Sequence, residues 1–309
     1  MIGSDGMPSS AEMLAGDAQH GSPLRGGMLH MDELPLADSR TAAYIIRDAG
    51  PVARDGHGAY LAIEAGAASY VLRHPELFSS KRASGSPGSP IPIVPVASGP
   101  PGHTRYRQVL RSFFGAPGTA RWLPVVRALA AELTGRFTGR GERDLVAEVA
   151  LSLPAEVFLT VSGLPPADRD WLVARKETVL GAVGISDTEP PSDASVQLAA
   201  ELPAAIEELL RFDGPVVTLP RVAAQDVELA GQVIPADSYV AVAVAAANRD
   251  PAEHRNPEAV DFHRDGRHVA LGAGPHGCLG ARLARLEMRV VPEEWAPQDP
   301  RLSAGTRGQ

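Results

Sequence analysis

Between His103 and Phe212 apolar residues recur at helical spacing, and past Pro215 they crowd into valine-rich runs. This change of period limits the fold more than any other feature. A repeat of about 3.6 residues buries one face of a helix, whereas a short β-branched run builds a strand. Thr104 to Phe114, Trp122 to Phe137, Leu145 to Ser162, Ala167 to Val183 and Leu198 to Phe212 are predicted helices. Val222 to Val233 and Ser238 to Ala247 are predicted strands about a turn at Pro235-Ala236-Asp237. Met31 to Ala49 reads as turns and a short helix. Val52 to Ile63 reads as a hairpin around Asp55-Gly56-His57-Gly58, and Ala67 to Arg73 as a helix stopped by Pro75. The expected fold is mainly α with a small β region.

Proline and glycine set the boundaries. The chain carries 31 Gly and 28 Pro, and many of them are clustered. Residues 83–102 hold too many of both for a helix to persist and read as a long loop. Residues 184–195 form a polar break. Residues 1–30 lack sustained periodicity and read as a mobile leader. A single domain is expected over 31–291. Its last helix runs from Ala281 to about Val291, where Pro292 ends it and leaves 292–309 as a frayed tail. No internal repeat is found.

The formal net charge of −8 over 309 residues argues against a nucleic-acid partner, which calls for a basic surface. No apolar run approaches the ~20 residues that span a bilayer, and the first residues lack the charged and apolar regions of a signal peptide. A cytoplasmic protein without membrane contact is expected. The single cysteine, Cys278, excludes an internal disulfide framework and a multi-cysteine zinc site.

That cysteine stands in the most informative stretch, Leu271-Gly272-Ala273-Gly274-Pro275-His276-Gly277-Cys278-Leu279-Gly280. Its four glycines let the backbone bend tightly and approach a flat partner. Cys278 lies at the mouth of a predicted helix, where orphan N–H groups and the helix dipole favour a thiolate. A thiolate held in a stiff, amide-lined loop is suited to bind iron axially. Two other readings exist: a buried inert thiol, and a nucleophile with His276 as base. The second lacks an oriented acid and an oxyanion hole. His254, His263 and His268 lack metal-ligand spacing and read as surface or scaffold residues.

The loop resembles the signature of the cytochrome P450 superfamily, F-G-x-G-x-H-x-C-x-G in bacterial members, followed here by L-A-R-L-E. Glu208-Leu209-Leu210-Arg211 matches the family's E-x-x-R, with both charged residues on one helix face. Arg221 stands where the family places an arginine for a haem propionate. Pro100-Pro101-Gly102-His103-Thr104-Arg105-Tyr106-Arg107 resembles P-P-x-H-x-x-x-R, whose His and Arg also contact propionates. The resemblance implies haem b (iron protoporphyrin IX) with Cys278 as its iron ligand. It implies His103, Arg107, Arg221 and His276 around the propionates, and Glu208 and Arg211 as a structural network. The third, basic arm of that network is open: Ala259 occupies one candidate position, and Arg264 is the nearest basic residue.

Three departures stand out. The family's long central helix, with its A-G-x-[DE]-T motif, has no counterpart, because only Gly184 to Pro203 joins the flanking helices. The chain is therefore expected to be a shortened member with an internal deletion near 184–203. Gly184-Ile185-Ser186-Asp187-Thr188 has one residue too many for the motif and reads as a chance match. Leu271 replaces the usual Phe, and the family's terminal hairpin has no match in 293–309. The implied function is insertion of one oxygen atom into a small organic substrate, with electrons from a ferredoxin and its reductase. Arg282 and Arg285 are candidates for receiving that acidic donor. The alternative is a degenerate haem-binding or partner-binding helper without monooxygenase activity. An uncovered distal face favours a homodimer.

Overall fold

The computed structural model describes residues 24–25, 28–29, 39–81, 94–136, 144, 146–165, 167, 202–264 and 267–295. The predicted helix over Ala167 to Val183 lies outside them save for Ala167. So do the chance motif at 184–188, the join at 184–203 up to residue 201, and residues 296–309. Of the predicted leader, only the paired two-residue strands β1 (Leu24–Arg25) and β2 (Met28–Leu29) fall inside.

Helix α1 (Ser39–Arg47) leads to the hairpin β3 (Val52–Arg54) and β4 (Tyr60–Ala62). The hairpin turns where the sequence places it, because the Asp55 carboxylate accepts the His57 and Ala59 N–H groups at 2.9 and 2.7 Å. Helix α2 (Ala65–Arg73) and β5 (Phe78–Ser79) follow. Two longer helices, α3 (Gly102–Phe114) and α4 (Ala116–Gly135), meet at Gly115. Helix α4 starts six residues before the predicted Trp122, since Pro117 is tolerated in a first turn. A Cβ on Gly118 would stand 2.2 Å from Phe113 O, so only glycine lets the two helices meet this closely. A π-helical turn at Val146–Ala150 precedes α5 (Ser152–Ser162).

After α6 (Leu202–Phe212) the chain becomes β6 (Thr218–Ala223), β7 (Val227–Leu229), β8 (Gln232–Ile234) and β9 (Tyr239–Ala243). The first predicted strand is thus three strands, and the second ends in the short helix α7 (Val244–Ala247). The main sheet runs β3-β4-β9-β6-β5, with β4 and β9 parallel and the other pairs antiparallel, while β7 and β8 form their own hairpin. Apolar side chains of β4, β5, β6, β9 and α2, among them Val71, Phe78 and Val242, make one core. Val126, Leu133, Leu153, Val157, Leu286 and Val290 make a second between α4, α5 and the last helix.

That last helix, α8 (Ala281–Trp295), corrects the expected stop at Pro292. Proline removes one N–H and strains the preceding turn. The turn beyond it is held by Arg127 of α4, which donates to Glu293 Oε2 and Glu294 Oε1 at 2.5 Å each. Tertiary ion pairing therefore carries the helix past a local breaker. Among the described residues no helix is long and apolar enough to cross a membrane.

Candidate functional site

Cys278 ends a tight loop between the sheet and α8. Gly274 to His276 form a short 3₁₀ turn, closed by the Gly277 N–H on Gly274 O at 3.1 Å. The Cys278 N–H donates to Leu271 O at 2.7 Å, which pins the two ends of the loop together. Gly274 has φ +65°, and a Cβ there would stand 2.6 Å from Leu72 O. The loop can rest on the C-terminus of α2 only because that position is glycine. Leu271, in place of the expected aromatic, packs beside Ile206, Leu210, Ala270 and Met288. The thiol is exposed, unlike an inert buried one. Among the described residues no hydrogen bond joins it to His276, as a nucleophile–base pair would need.

Four sequence-predicted residues converge beside this loop. Helix α3 buries only His103, whose ring centroid lies 4.0 Å from that of His276 at 35°. One turn on, Arg107 Nη1 donates to Gly277 O at 2.7 Å. Arg221 on β6 is buried and donates through Nη1 to Pro220 O at 2.6 Å. Desolvation, then the charges of His103, Arg221 and Arg107, push His276 down to about 4. Burial and Arg107 also hold His103 below its usual value. Burial alone pushes the Arg221 guanidinium down to about 10, which leaves it charged at neutral pH.

A buried guanidinium is costly without an anion to offset its lost hydration. No described carboxylate bears on Arg221. Two cations and two imidazoles beside one open thiol make a site built to receive a bulky anion. The carboxylate arms of a porphyrin fit that donor set, and the thiol fits its iron.

Glu208 and Arg211 lie apart from this cluster, as a buried brace. Arg211 Nε and Nη2 grip the Glu208 carboxylate at 2.7 and 2.8 Å, and Nη1 donates to Asn248 O and Pro257 O at 2.9 and 3.0 Å. The open third arm is Arg264, with Nε 3.1 and 3.2 Å from the two Glu208 oxygens. Ala259 contributes only its carbonyl, to Arg264 Nη2 at 3.0 Å and Arg211 Nη2 at 3.4 Å. Burial works to raise the Glu208 carboxyl, but hydrogen bonds from Arg211, the Asp261 N–H and Arg264 outweigh it and hold it low.

A second cluster escaped the sequence reading. Arg285 Nε and Nη2 lie 2.5 and 2.7 Å from Glu207, and His268 Nε2 lies 3.1 Å from the same carboxylate. The signal was present, because Glu207 directly precedes the E-x-x-R glutamate, but nothing local told which arginine it meets. Of the two arginines named as candidates for an acidic donor, Arg285 is thus engaged by Glu207, while Arg282 is exposed. His254 is buried next to the Glu208 brace, which makes it scaffold and not surface, the other of the two expected readings.

Comparison with known proteins agrees with this geometry. The family model described as Cytochrome P450 matches residues 178–293, a span holding Glu208, Arg211, Arg221, His276 and Cys278. The probable cytochrome P450 127A1 of Sinorhizobium fredii is 26% identical, covering 89% of this chain and 87% of its own length. That alignment runs over 362 positions, so the relative holds residues with no counterpart in this 309-residue chain. The vitamin D(3) 25-hydroxylase of Pseudonocardia autotrophica is 30% identical, covering 66% of this chain and 70% of its own. In fold, the chain resembles the versatile cytochrome P450 enzyme CYP109B1 from Bacillus subtilis, with a TM-score of 0.72 over 86% of this chain and 93% of that one. With a partly buried cationic cradle beside an open thiol, and relatives of this kind along most of its length, the chain belongs to the cytochrome P450 superfamily of haem-thiolate monooxygenases.

Proposed function

We propose that this chain holds haem b through Cys278, with His103, Arg107, Arg221 and His276 at the propionates. In this reading it inserts one oxygen atom into a small organic substrate, using electrons from a ferredoxin and its reductase. The cytoplasm, where such donors are kept reduced, is its working compartment. The observation that carries the reading is Arg221, a buried cation with no described carboxylate, set among His103, His276 and Arg107.

The residues divide the work. Arg107 ties α3 to the cysteine loop through Gly277 O and still has further N–H groups to offer. Arg221 and His276 are desolvated before any ligand arrives, so they bind an anion without first shedding water. The Leu271–Cys278 hydrogen bond fixes where the sulfur stands. When bound, a thiolate-ligated haem supplies the redox chemistry for oxygen insertion. Helix α8 begins three residues after Cys278, so in this reading its first turn lies on the sulfur side and Arg282 is a natural first contact for an acidic donor.

The test is optical. Protein supplied with haem, reduced and exposed to CO should show the strongly red-shifted Soret band of thiolate ligation, and Cys278→Ser should lose it. An unchanged band in Cys278→Ser, or no haem uptake by the native chain, would sink the reading. A helper without turnover is the second reading, and it draws on the residues of the Sinorhizobium relative that are missing here. The same loaded protein decides: the band without product, from either donor or peroxide, favours the helper.

A further inference from the structure

A groove of about 430 Å³ opens between α4, α6 and α8. Leu123, Ile206 and Leu286 give it an apolar floor, and Arg282, Arg285 and Arg289 line it from α8. Spaced at i, i+3 and i+7, these arginines form a row about 10 Å long. Arg285 Nη1 donates to Ala281 O at 3.3 Å and Arg289 pairs with Glu293 at 3.5 Å within α8, but the row does not favour the helix dipole. Cations near a helix N-terminus oppose its dipole, and the first turn of α8 holds no acid. Nor does it follow the overall charge, which is −8. The carboxylate among the groove's described lining is Glu207, and it is taken up by Arg285 and His268.

We propose that Glu207 is an internal stand-in for a partner's carboxylate: an acidic electron donor docks on the α8 arginine row by displacing Glu207 from Arg285. This rests on the haem-thiolate reading above, in which electrons enter on the sulfur side. Three observations support an exchange. Arg285 holds Glu207 in the two-pronged geometry that any incoming carboxylate would take over. The pair is open to solvent, with side chains 36% and 41% exposed, so its hold is weak. Next to it in sequence, the Glu208–Arg211 pair is 3% and 1% exposed and is in no position to exchange. The displaced Glu207 keeps His268 as a hydrogen-bond partner. Arg282 is exposed and supplies first contact, and on an acidic chain a local cationic row steers an acidic donor to one place.

The experiment is a double-mutant cycle on the haem-loaded full chain, with a fluorescently labelled plant-type [2Fe–2S] ferredoxin as probe and affinity read by anisotropy at low salt. Glu207→Gln should bind about 2- to 5-fold tighter than the native chain. In an Arg285→Gln background the same change should have no effect, which separates exchange from the mere loss of one negative charge. Equal tightening in both backgrounds overturns the proposal. So does unchanged affinity in Glu207→Gln accompanied by a lower melting temperature, the mark of a strut between α6 and α8. Arg282→Glu tests the docking reading separately: it should weaken binding at least tenfold, and unaltered affinity there, or no binding by the native chain, removes the site itself.

Discussion

Single residues here separate into cations that are paired and cations that are only buried. Arg211 and Arg264 share one carboxylate, whereas Arg221 has no described acid. His254 is buried as well, but as a neutral ring. Its side chain is buried, its Nδ1 has no hydrogen-bond partner, and desolvation, then Arg211 and Arg264, push it down to about 4 against the pull of Glu208 and Asp250. Its folded value lies below the ordinary value near 6.5, so the unfolded chain binds the proton first. Stability is therefore intact above pH 6.5 and falls as pH drops toward 4, by about 3 kcal/mol in all from this residue. Urea melts of the native chain and of His254→Gln at pH 7 and pH 4.5 check this. The native chain should lose more stability across that interval than the variant, and equal losses would remove His254 from the account. The candidate site was most legible at this scale. Cys278, His276 and the Glu208–Arg211 spacing lie within short stretches whose local geometry determines what the side chains can do. Glu207 was not legible, because a surface-type glutamate on a helix carries no mark of which distant arginine it meets.

At the scale of elements, placement depends on a few anchors. Helix α3 buries only His103, so that ring and the Arg107–Gly277 bond hold it against the cysteine loop. The Glu208 brace ties α6 to the irregular segment 248–264 through Asn248, Pro257, Asp261 and Arg264. The two sides of that brace are not equivalent. Arg264→Met leaves Glu208 still gripped by Arg211 and should cost about 1–3 kcal/mol, as for a lost hydrogen bond to a charged group. Glu208→Met leaves two guanidinium groups without their carboxylate and should cost about 3–5 kcal/mol. Denaturant melts rank the two, and a milder loss in Glu208→Met would show that the brace is not what positions α6. The periodic pattern marked most of these helices, but their ends moved. Pro117 opens α4, where first-turn geometry suits it, and Pro292 sits inside α8, where the Arg127 ion pairs overrule its local preference.

At the scale of the whole molecule, the cationic cradle joins α3, β6 and the cysteine loop, so an anion bound there adds a tie to the one that Arg107 already makes with Gly277 O. Binding only to the folded state stabilises it, by about 2.7 kcal/mol at a hundredfold excess over the dissociation constant. Haem loading should therefore raise the melting temperature, and the rise should shrink in Arg221→Gln while the apo protein melts almost as before. A full rise in that variant would place the propionates elsewhere. The amino-acid sequence alone determined the helical and strand periods, the glycines that let the loop bend, and the thiol that the loop presents. Those properties arise from neighbours a few positions apart, where backbone sterics and side-chain period act directly. Only the tertiary structure decided that Arg107 reaches a carbonyl 170 residues away, that Arg264 rather than Ala259 completes the brace, and that Arg285 is held by Glu207. Such pairings depend on how separate elements close on a shared core, and no local pattern specifies which distant charges will meet once water is excluded.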